Sequence, residues 1–330
     1  MSDVSVADET AARRSAAEEL LASLPGRPAH RGRVAREPVS ACAIHAWCDA
    51  MGETAPAFTG AVPVAPPATL QMWTFPGLRP GRSPEAGPSE PGDLDESVRA
   101  TLAGLGYSAT LAVRTDQVFE SDLRPGDVVV AENVYLDATG EKRTALGRGF
   151  FVRSRTEYRT VSGRRAGWVI LTVLHYAPEA SPVSSPPVPS STVPGSGGAA
   201  VPGRLDPGCS FGRVDVPVTA TQIIAGALAT RDFYPVHHDP AFARAYGNAD
   251  IVMNILTTNG LLARVVGEWT GAARLRRLVT SLRAPASPGQ VLRISGRVES
   301  NVGQEVVVSA RAETGSAIHA EAEATVVNAG

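Results

Sequence analysis

The chain has 330 residues, which suggests two ordinary domains or one large domain. With 43% hydrophobic residues it can bury a normal core. Lys and Arg number 31 against 33 Asp and Glu, so neither a nucleic acid nor an anionic membrane is a favourable partner. Three cysteines are too few for a disulfide framework, and neither a signal-like N-terminus nor a membrane-length apolar run occurs. We therefore expect a soluble, cytoplasmic, two-domain protein.

Composition divides the chain into four segments. Residues 1–29 form an N-terminal extension, whose Ala, Glu and Arg residues predict a short helix. Residues 178–207 are dominated by Pro, Ser and Gly, which predicts an extended linker. The linker separates a first domain, residues 30–177, from a second, residues 208–330.

The two domains carry the same order of sequence features. An apolar helical stretch occurs in each, at Ala43–Met51 and Thr221–Ala229. Later in each domain a Pro-Gly turn leads into a strand, after Leu123 and after Ala286. Each domain then ends in strands of alternating polarity. The sequence therefore predicts an α+β unit of one helix and several antiparallel strands, present twice.

A second helical segment differs between the two copies. Asp250–Trp269 predicts about five turns of helix, too apolar for a surface position, and a buried helix wrapped by an antiparallel sheet is a hot-dog fold. Its counterpart, Ala68–Phe75, stops after about two turns because Pro76-Gly77 ends it. The missing turns predict an unfilled volume, which we expect to receive a bulky ligand, open to solvent or lie under the Pro/Gly-rich loop at 77–100.

The sharpest motif is Asp232-x4-His237, within TRDFYPVHHDPAFARAYG. It resembles the pattern G-D-x-N-P-x-H-x-D of MaoC-like hydratases and dehydratases, with Arg231 in place of the usual Gly and Tyr234 in place of Asn. The resemblance implies that Asp232 and His237 activate one water for addition to an enoyl thioester, or for its removal. A carboxylate beside an imidazole suits this chemistry, since the pair can exchange both protons near neutral pH.

The same resemblance implies the rest of the site. Asn254-Ile255 aligns with the pair that opens the central helix, where a backbone N–H stabilises the enolate oxygen. We read Asp239 as a helix cap and His238 as either a surface residue or a residue that supports the catalytic pair from behind. The residues expected to contact the acyl group are Tyr234, Met253, Met72 and Trp73. The residues expected to contact the phosphates of coenzyme A are Arg283, Lys142 and Arg143.

The first copy lacks this chemistry, because Glu53 and Phe58 stand where Asp232 and His237 do. Through APPATLQMW, GYSATL, LRPGD and KRTALGRGFFV it resembles the N-terminal MaoC-like domain of the larger subunit of steroid side-chain enoyl-CoA hydratases. Through MNILTTNG, the second copy resembles the small catalytic subunit. The chain thus resembles the two subunits fused, as a double hot-dog of two antiparallel sheets that each wrap a central helix.

Three functions follow from this comparison. The first is an enoyl-CoA hydratase or 3-hydroxyacyl-CoA dehydratase for a bulky, steroid- or terpenoid-like acyl-CoA. The second is a hot-dog thioesterase for the same ligand, and the third is a non-catalytic acyl-CoA-binding protein. No cofactor is expected beyond the coenzyme A of the substrate, and no metal, because Cys42, His45 and Cys48 lack further ligands nearby. We expect these three residues to lie on a buried helix face instead. A homodimer of double hot-dogs stays open.

Overall fold

The computed structural model describes residues 3–78, 92–178, 205–271, 274–315 and 317–327. The helices in these ranges are α1 (Asp3–Ala22), α2 (Ala41–Met51), α3 (Pro56–Thr59), α4 (Leu94–Gly104), α5 (Ala220–Ala229), α6 (Pro240–Ala245) and α7 (Ile255–Thr270). The strands before the linker are β1 (Pro28–Val34), β2 (Ala109–Phe119), β3 (Val129–Ala138), β4 (Lys142–Thr144), β5 (Gly147–Thr160) and β6 (Arg165–Pro178). The strands after it are β7 (Ser210–Pro217), β8 (Arg274–Leu282), β9 (Val291–Val302), β10 (Glu305–Thr314) and β11 (Ala317–Val327).

The strands form one antiparallel sheet with an internal two-fold pattern. Their order is β1-β3-β5-β6-β2-β8-β11-β10-β9-β7, and β4 pairs with β5 beside this path. Reading inward from either edge gives the same connectivity, since β7, β9, β10, β11 and β8 repeat β1, β3, β5, β6 and β2. The predicted repeat and the α+β double hot-dog class are therefore confirmed.

The two copies join where β2 pairs with β8. At this seam Thr115 lies opposite Thr280, and both are fully buried. Two hydrogen bonds of 2.8 and 2.7 Å run from the Arg277 guanidinium to the Asp116 carboxylate across the seam. The two sheets that the sequence predicts are thus continuous, and neither copy presents a free inner edge.

The central helix of the second copy is α7, which begins at Ile255 rather than at Asp250. The Asn254 side chain caps it by accepting a hydrogen bond from the Thr257 amide at 2.7 Å. Its C-terminal end lies at Gly271, whose φ of 73° is the left-handed conformation that favours glycine. The helix is buried around most of its circumference, and its buried residues include the polar Thr257, Thr258 and Asn259 as well as apolar side chains. No helix in the described ranges is both long and apolar enough to cross a membrane.

The first copy has no α-helix at the equivalent place. The prediction of a two-turn α-helix over Ala68–Phe75 was wrong. The chain forms two short 3-10 turns instead, Pro67–Thr69 and Met72–Thr74. Pro76 has no amide hydrogen and Gly77 adopts a left-handed φ of 72°, so no α-helix continues beyond this segment. The predicted loop at 77–100 lies partly outside the described residues, at 79–91. From Leu94 onward it is wrong, because α4 begins there and buries Val98 and Leu102.

The predicted N-terminal helix is present as α1. It buries Ala17 and Leu21 in a cluster that includes Tyr135 of β3 and Phe150 of β5. Through these residues α1 packs on the first copy. Of the predicted linker, residues 179–204 lie outside the described residues, and the boundaries of the four segments remain predictions.

Gly260 in α7 provides a test of how closely α7 packs against α2. A Cβ at Gly260 would lie 2.7 Å from the Met51 sulfur and 2.8 Å from Cζ2 of Trp47, a ring only 1% exposed. We expect Gly260→Ala to lower the free energy of unfolding by about 1–3 kcal/mol, because overpacking outweighs the better helix propensity of alanine. Urea unfolding measures the change.

The matched control is Gly267→Ala in the same helix, where a Cβ meets nothing within 4 Å. Its stability should stay the same or rise by up to about 1 kcal/mol, because alanine favours a helix. If both variants unfold at the same urea concentration, α2 does not pack closely on α7.

Candidate active site

The loop that follows α5 carries the two candidate catalytic side chains. Backbone bonds hold its start, since the amide of Asp232 donates to the Ala227 carbonyl at 2.9 Å. The Thr230 hydroxyl donates to the Gly226 carbonyl at 2.7 Å. A 3-10 turn, Pro235–His237, then brings His237 back toward Asp232. The loop is therefore fixed at both ends of the motif.

Arg231 has a φ of 60°, and it is the one non-glycine residue of the described chain in the left-handed region. The sequence places Arg at the position of the usual Gly, and the structure keeps the glycine-like backbone. This conformation costs a residue with a side chain about 1–2 kcal/mol. The left-handed turn is therefore a requirement of the loop, and the arginine side chain is present despite it.

His237 and Asp232 face each other. The His237 Nε2 atom lies 3.5 Å from Oδ2 of Asp232, with the side chains 11% and 22% exposed. The His237 Nδ1 atom is 2.7 Å from the Val252 carbonyl oxygen, which fixes the tautomer because only an N–H can donate there. The Nε2 atom is therefore the one directed at the carboxylate. At 3.5 Å the two groups are in direct contact, so a water that both bind would lie beside the pair rather than between them.

Asn254 connects this pair to α7. While its side-chain oxygen caps the helix, its Nδ2 donates to the Asp232 carboxylate at 3.1 Å and to the Thr230 hydroxyl at 2.9 Å. Asn254 was predicted only to open the helix, and its bond to Asp232 was not predicted. The two residues are 22 positions apart, and no spacing pattern in the sequence indicates their contact.

Burial and attraction compete in setting the charges of the pair. Burial raises the pKa of Asp232, but the nearby His237 and the Asn254 hydrogen bond outweigh it, so that its pKa lies below the ordinary value. Burial lowers the pKa of His237, but Asp232 and the Val252 carbonyl outweigh it, so that its pKa lies above the ordinary value. The pair is therefore poised as a carboxylate and an imidazolium, a base beside an acid.

The N-terminus of α7 lies next to the pair through Asn254. The amide of Ile255, the first helical residue, belongs to the set that a helix leaves without an intrahelical acceptor. The helix dipole adds partial positive charge there. A developing oxyanion would be stabilised at this position.

The residues predicted to contact the acyl group separate into two places. Met72 and Trp73 line a pocket of about 320 Å³, beside the end of the broken helix at Pro76-Gly77. Tyr234 and Met253 are not among its described lining residues. Tyr234 packs edge-on against Phe242, and Met253 is buried in the main core.

The residues predicted to contact coenzyme A lie on strands or beside them. Arg283 pairs with Glu321 at 2.9 Å, and Lys142 and Arg143 form part of β4. No bond joins any of the three to the Asp232–His237 pair in the described residues. Their contact with coenzyme A remains a prediction.

Two smaller predictions are confirmed and one is wrong. Asp239 caps α6 by accepting hydrogen bonds from Ala241 and Phe242, and His238 is exposed. Cys42, expected on a buried helix face with Cys48, is exposed because it lies on the outer side of α2. In the described residues no group of three or more His, Cys, Asp or Glu is placed to hold a metal.

The first copy keeps the loop without an acid–base pair. Glu53 is buried after α2, and its carboxylate accepts a hydrogen bond from the Ala55 amide at 2.8 Å. Phe58 lies in the short helix α3 and packs against the core. The carboxylate therefore closes a turn, and no imidazole faces it.

The charge state of the pair can be tested by NMR titration. In the native protein, we expect His237 to titrate with a pKa above that of an ordinary histidine. In Asp232→Asn the pKa should fall below the ordinary value, because the attraction is lost while burial remains.

Asp239→Asn provides the control, because asparagine also caps helices and Asp239 binds amides of α6 rather than His237. The His237 pKa should stay raised in this variant. An unchanged His237 pKa in Asp232→Asn would contradict the ion pair.

Comparisons with known proteins agree with this geometry. Residues 206–317, which include the whole motif, match the model of the family described as "MaoC like domain". A solved structure titled "MaoC-like dehydratase" superposes with a TM-score of 0.70 at 16% identity, over 93% of this chain and 99% of that one. At this identity the likeness shows the fold alone.

Two curated relatives are the subunits of one hydratase of Mycobacterium tuberculosis. The 3-oxo-4,17-pregnadiene-20-carboxyl-CoA hydratase alpha subunit is 29% identical over 182 residues, 52% of this chain and 55% of that subunit. The beta subunit is 43% identical over 79 residues, 24% of this chain and 61% of that subunit. The chain thus spans little more than half the length of each relative.

Proposed function

Because this chain belongs to the MaoC-like dehydratase family, we propose that it is an enoyl-CoA hydratase, or in reverse a 3-hydroxyacyl-CoA dehydratase, for bulky acyl groups. The observation that carries the proposal is the arrangement of three groups. His237 and Asp232 face each other at 3.5 Å, and Asn254 ties Asp232 to the N-terminus of α7. This arrangement supplies an acid, a base and an oxyanion site within one loop and one helix end.

In the proposed mechanism, one water binds beside Asp232 and His237, within hydrogen-bond distance of both side chains. The Asp232 carboxylate accepts a proton from this water as its oxygen attacks the β-carbon of the enoyl thioester. The His237 imidazolium donates its Nε2 proton to the α-carbon. The proton taken up by Asp232 can then pass to His237, which restores the starting charges. The bond from His237 Nδ1 to Val252 keeps Nε2 directed at the reacting atoms throughout.

The thioester oxygen gains negative charge as the water attacks. We place this oxygen at the amide of Ile255, where the first turn of α7 offers an N–H and the positive end of the helix dipole. The helix position is fixed by the same Asn254 side chain that holds Asp232. Base and oxyanion site therefore keep a constant separation, which proximity catalysis requires.

The first copy serves to shape the acyl site. Its central segment is two short turns instead of a helix, and the pocket of about 320 Å³ lies beside the place where it ends. This volume falls in the range of small-molecule sites. The two similar hydratase subunits carry a pregnadiene acyl-CoA in their names, and we extend a ring-bearing substrate to this chain.

The proposal assigns both subunit roles to one chain. The second copy would supply the chemistry, and the first copy would supply the space for the acyl group. The cofactor requirement is then limited to the coenzyme A of the substrate, and we propose a cytoplasmic location for the reaction.

The catalytic assignment predicts a large loss from two substitutions. Asp232→Asn or His237→Ala should lower kcat by roughly 10²–10⁴-fold, the usual contribution of a positioned acid or base. Glu53→Gln, at the equivalent position of the first copy, should keep native activity, since its oxygen can still accept from Ala55. Circular dichroism checks that each variant folds.

The product identifies the reaction. A ring-bearing enoyl-CoA should gain the mass of one water, whereas release of free coenzyme A would favour a thioesterase. Native turnover in both Asp232→Asn and His237→Ala would show that another site carries the chemistry.

The pocket predicts selectivity for large acyl groups. We expect a higher kcat/KM for a ring-bearing enoyl-CoA than for crotonyl-CoA. Ala46→Leu, which adds bulk to the pocket wall on α2, should lower kcat/KM for the ring-bearing substrate and leave crotonyl-CoA nearly unaffected.

Cys42→Leu adds similar bulk to an exposed position of the same helix, outside the pocket, and should affect neither substrate. If the native enzyme uses crotonyl-CoA equally well, the shortened helix has a purpose other than acyl binding.

A further inference from the structure

The pocket beside the broken helix is lined in part by charged side chains that have no role in the proposed reaction. Apart from apolar residues, its described lining includes two arginines, Arg36 and Arg231, and no carboxylate. The residues that line it are Arg36, Ala43, Ala46, Met72, Trp73, Pro76, Gly77, Leu78, Leu228, Ala229, Arg231 and Phe233. An apolar pocket with a few charged groups that point to one place is typical of a ligand site.

Arg231 is the more constrained of the two arginines. Its Nε atom is buried and has no hydrogen-bond partner among the residues that the structure describes. One of its terminal nitrogens lies over Gly77, at 2.8 Å from where a Cβ would stand. A left-handed glycine therefore provides the surface against which the guanidinium rests. A buried N–H without a partner is costly, so its presence in a pocket indicates a missing acceptor.

Arg36 differs from Arg231 because it is exposed to solvent. Two large apolar side chains beside the pocket are also exposed, Leu78 by 60% and Leu228 by 56%. The site thus combines two guanidinium groups with apolar surface that water contacts. A ligand that is both anionic and partly apolar satisfies both features.

We propose that Arg36 and Arg231 form a subsite for an anionic oxygen group, a carboxylate or a phosphate, of the acyl-CoA ligand. This inference rests on the proposed function for the identity of the ligand. Guanidinium groups bind carboxylates and phosphates with paired, charge-assisted hydrogen bonds, which would supply the acceptor that Arg231 Nε lacks. The two sources within the ligand are the phosphates of coenzyme A and an acid group at the far end of the acyl moiety.

The subsite also stands next to the reacting groups. In this loop, Arg231 and Phe233 line the pocket. Asp232, which lies between them in the chain, is bonded to Asn254. An anion bound to Arg231 would therefore hold the residue that immediately precedes the base. Binding in the pocket and positioning of Asp232 are joined through one peptide bond.

Calorimetry with saturated thioesters tests the inference, because these ligands bind but cannot be hydrated. The probes are cyclohexanecarboxyl-CoA, which has phosphates only, and the N-acetylcysteamine thioester of cyclohexane-1,4-dicarboxylic acid, which has a carboxylate only. We expect Arg231→Gln to raise the Kd of one probe by roughly 10–100-fold, the contribution of hydrogen bonds to a charged group. Arg36→Gln should weaken binding of the same probe.

The probe that responds identifies the source. A loss confined to the CoA thioester assigns the phosphates, and a loss confined to the dicarboxylic thioester assigns an acyl acid group. Arg213→Gln, which removes an exposed arginine on β7, should change neither Kd. If Arg231→Gln and Arg36→Gln bind both probes as Arg213→Gln does, the subsite does not exist. Because the readout is binding, this failure is distinct from a failure to hydrate.

Two further variants separate binding from folding. Arg231→Gly restores the residue that suits a φ of 60°, so it should unfold at the same or a higher urea concentration while binding as weakly as Arg231→Gln. Arg231→Lys keeps the charge but loses the paired geometry, and an intermediate Kd is expected. Native affinity in the folded Arg231→Gly variant would overturn the proposal.

Discussion

The geometry of the candidate site depends on the hydrogen bonds of the Asn254 side chain. A single amide caps α7 through its oxygen and holds Asp232 and Thr230 through its nitrogen. An asparagine can do this because it carries an acceptor and two donors on one rigid plane. The carboxylate and the helix N-terminus cannot move apart without breaking a buried hydrogen bond. Two catalytic requirements, a base and an oxyanion site, thus share one structural support.

The two copies of the internal repeat differ in their central segment, although one sheet joins them. The seam between β2 and β8 and the bond from Gln222 of α5 to the Ala50 carbonyl of α2 tie the copies together. Because the second copy retains α7 as a buried core helix, the first copy can lose the equivalent helix without losing a shared sheet. The resulting space lies beside the loop of the active copy. In the proposed function, this asymmetry between the copies provides the space for a large acyl group.

Much of this could be predicted from the sequence, because the strongest signals were local. The repeat, the Pro-Gly turns and the apolar stretch of α7 follow from periodicity and turn chemistry. The 3-10 turns at 67–74 were missed because Pro76-Gly77 shows only where a helix must end, not which helix forms. The bond from Asn254 to Asp232 and the presence of Arg36 and Arg231 in one pocket were missed because they involve residues far apart in the chain. Long-range side-chain contacts leave no spacing pattern to read.

Arg231 belongs both to the loop that carries Asp232 and to the pocket beside the broken helix. Its left-handed backbone directs Asp232 toward Asn254, while its guanidinium lies over Gly77 in the pocket. A glycine would make the same turn at a lower conformational cost. A side chain retained at such a position must therefore contribute something that glycine cannot, and the only polar group it adds is the guanidinium. The proposed anion subsite would explain both the backbone strain and the buried Nε, and it would join the pocket to the loop that carries Asp232.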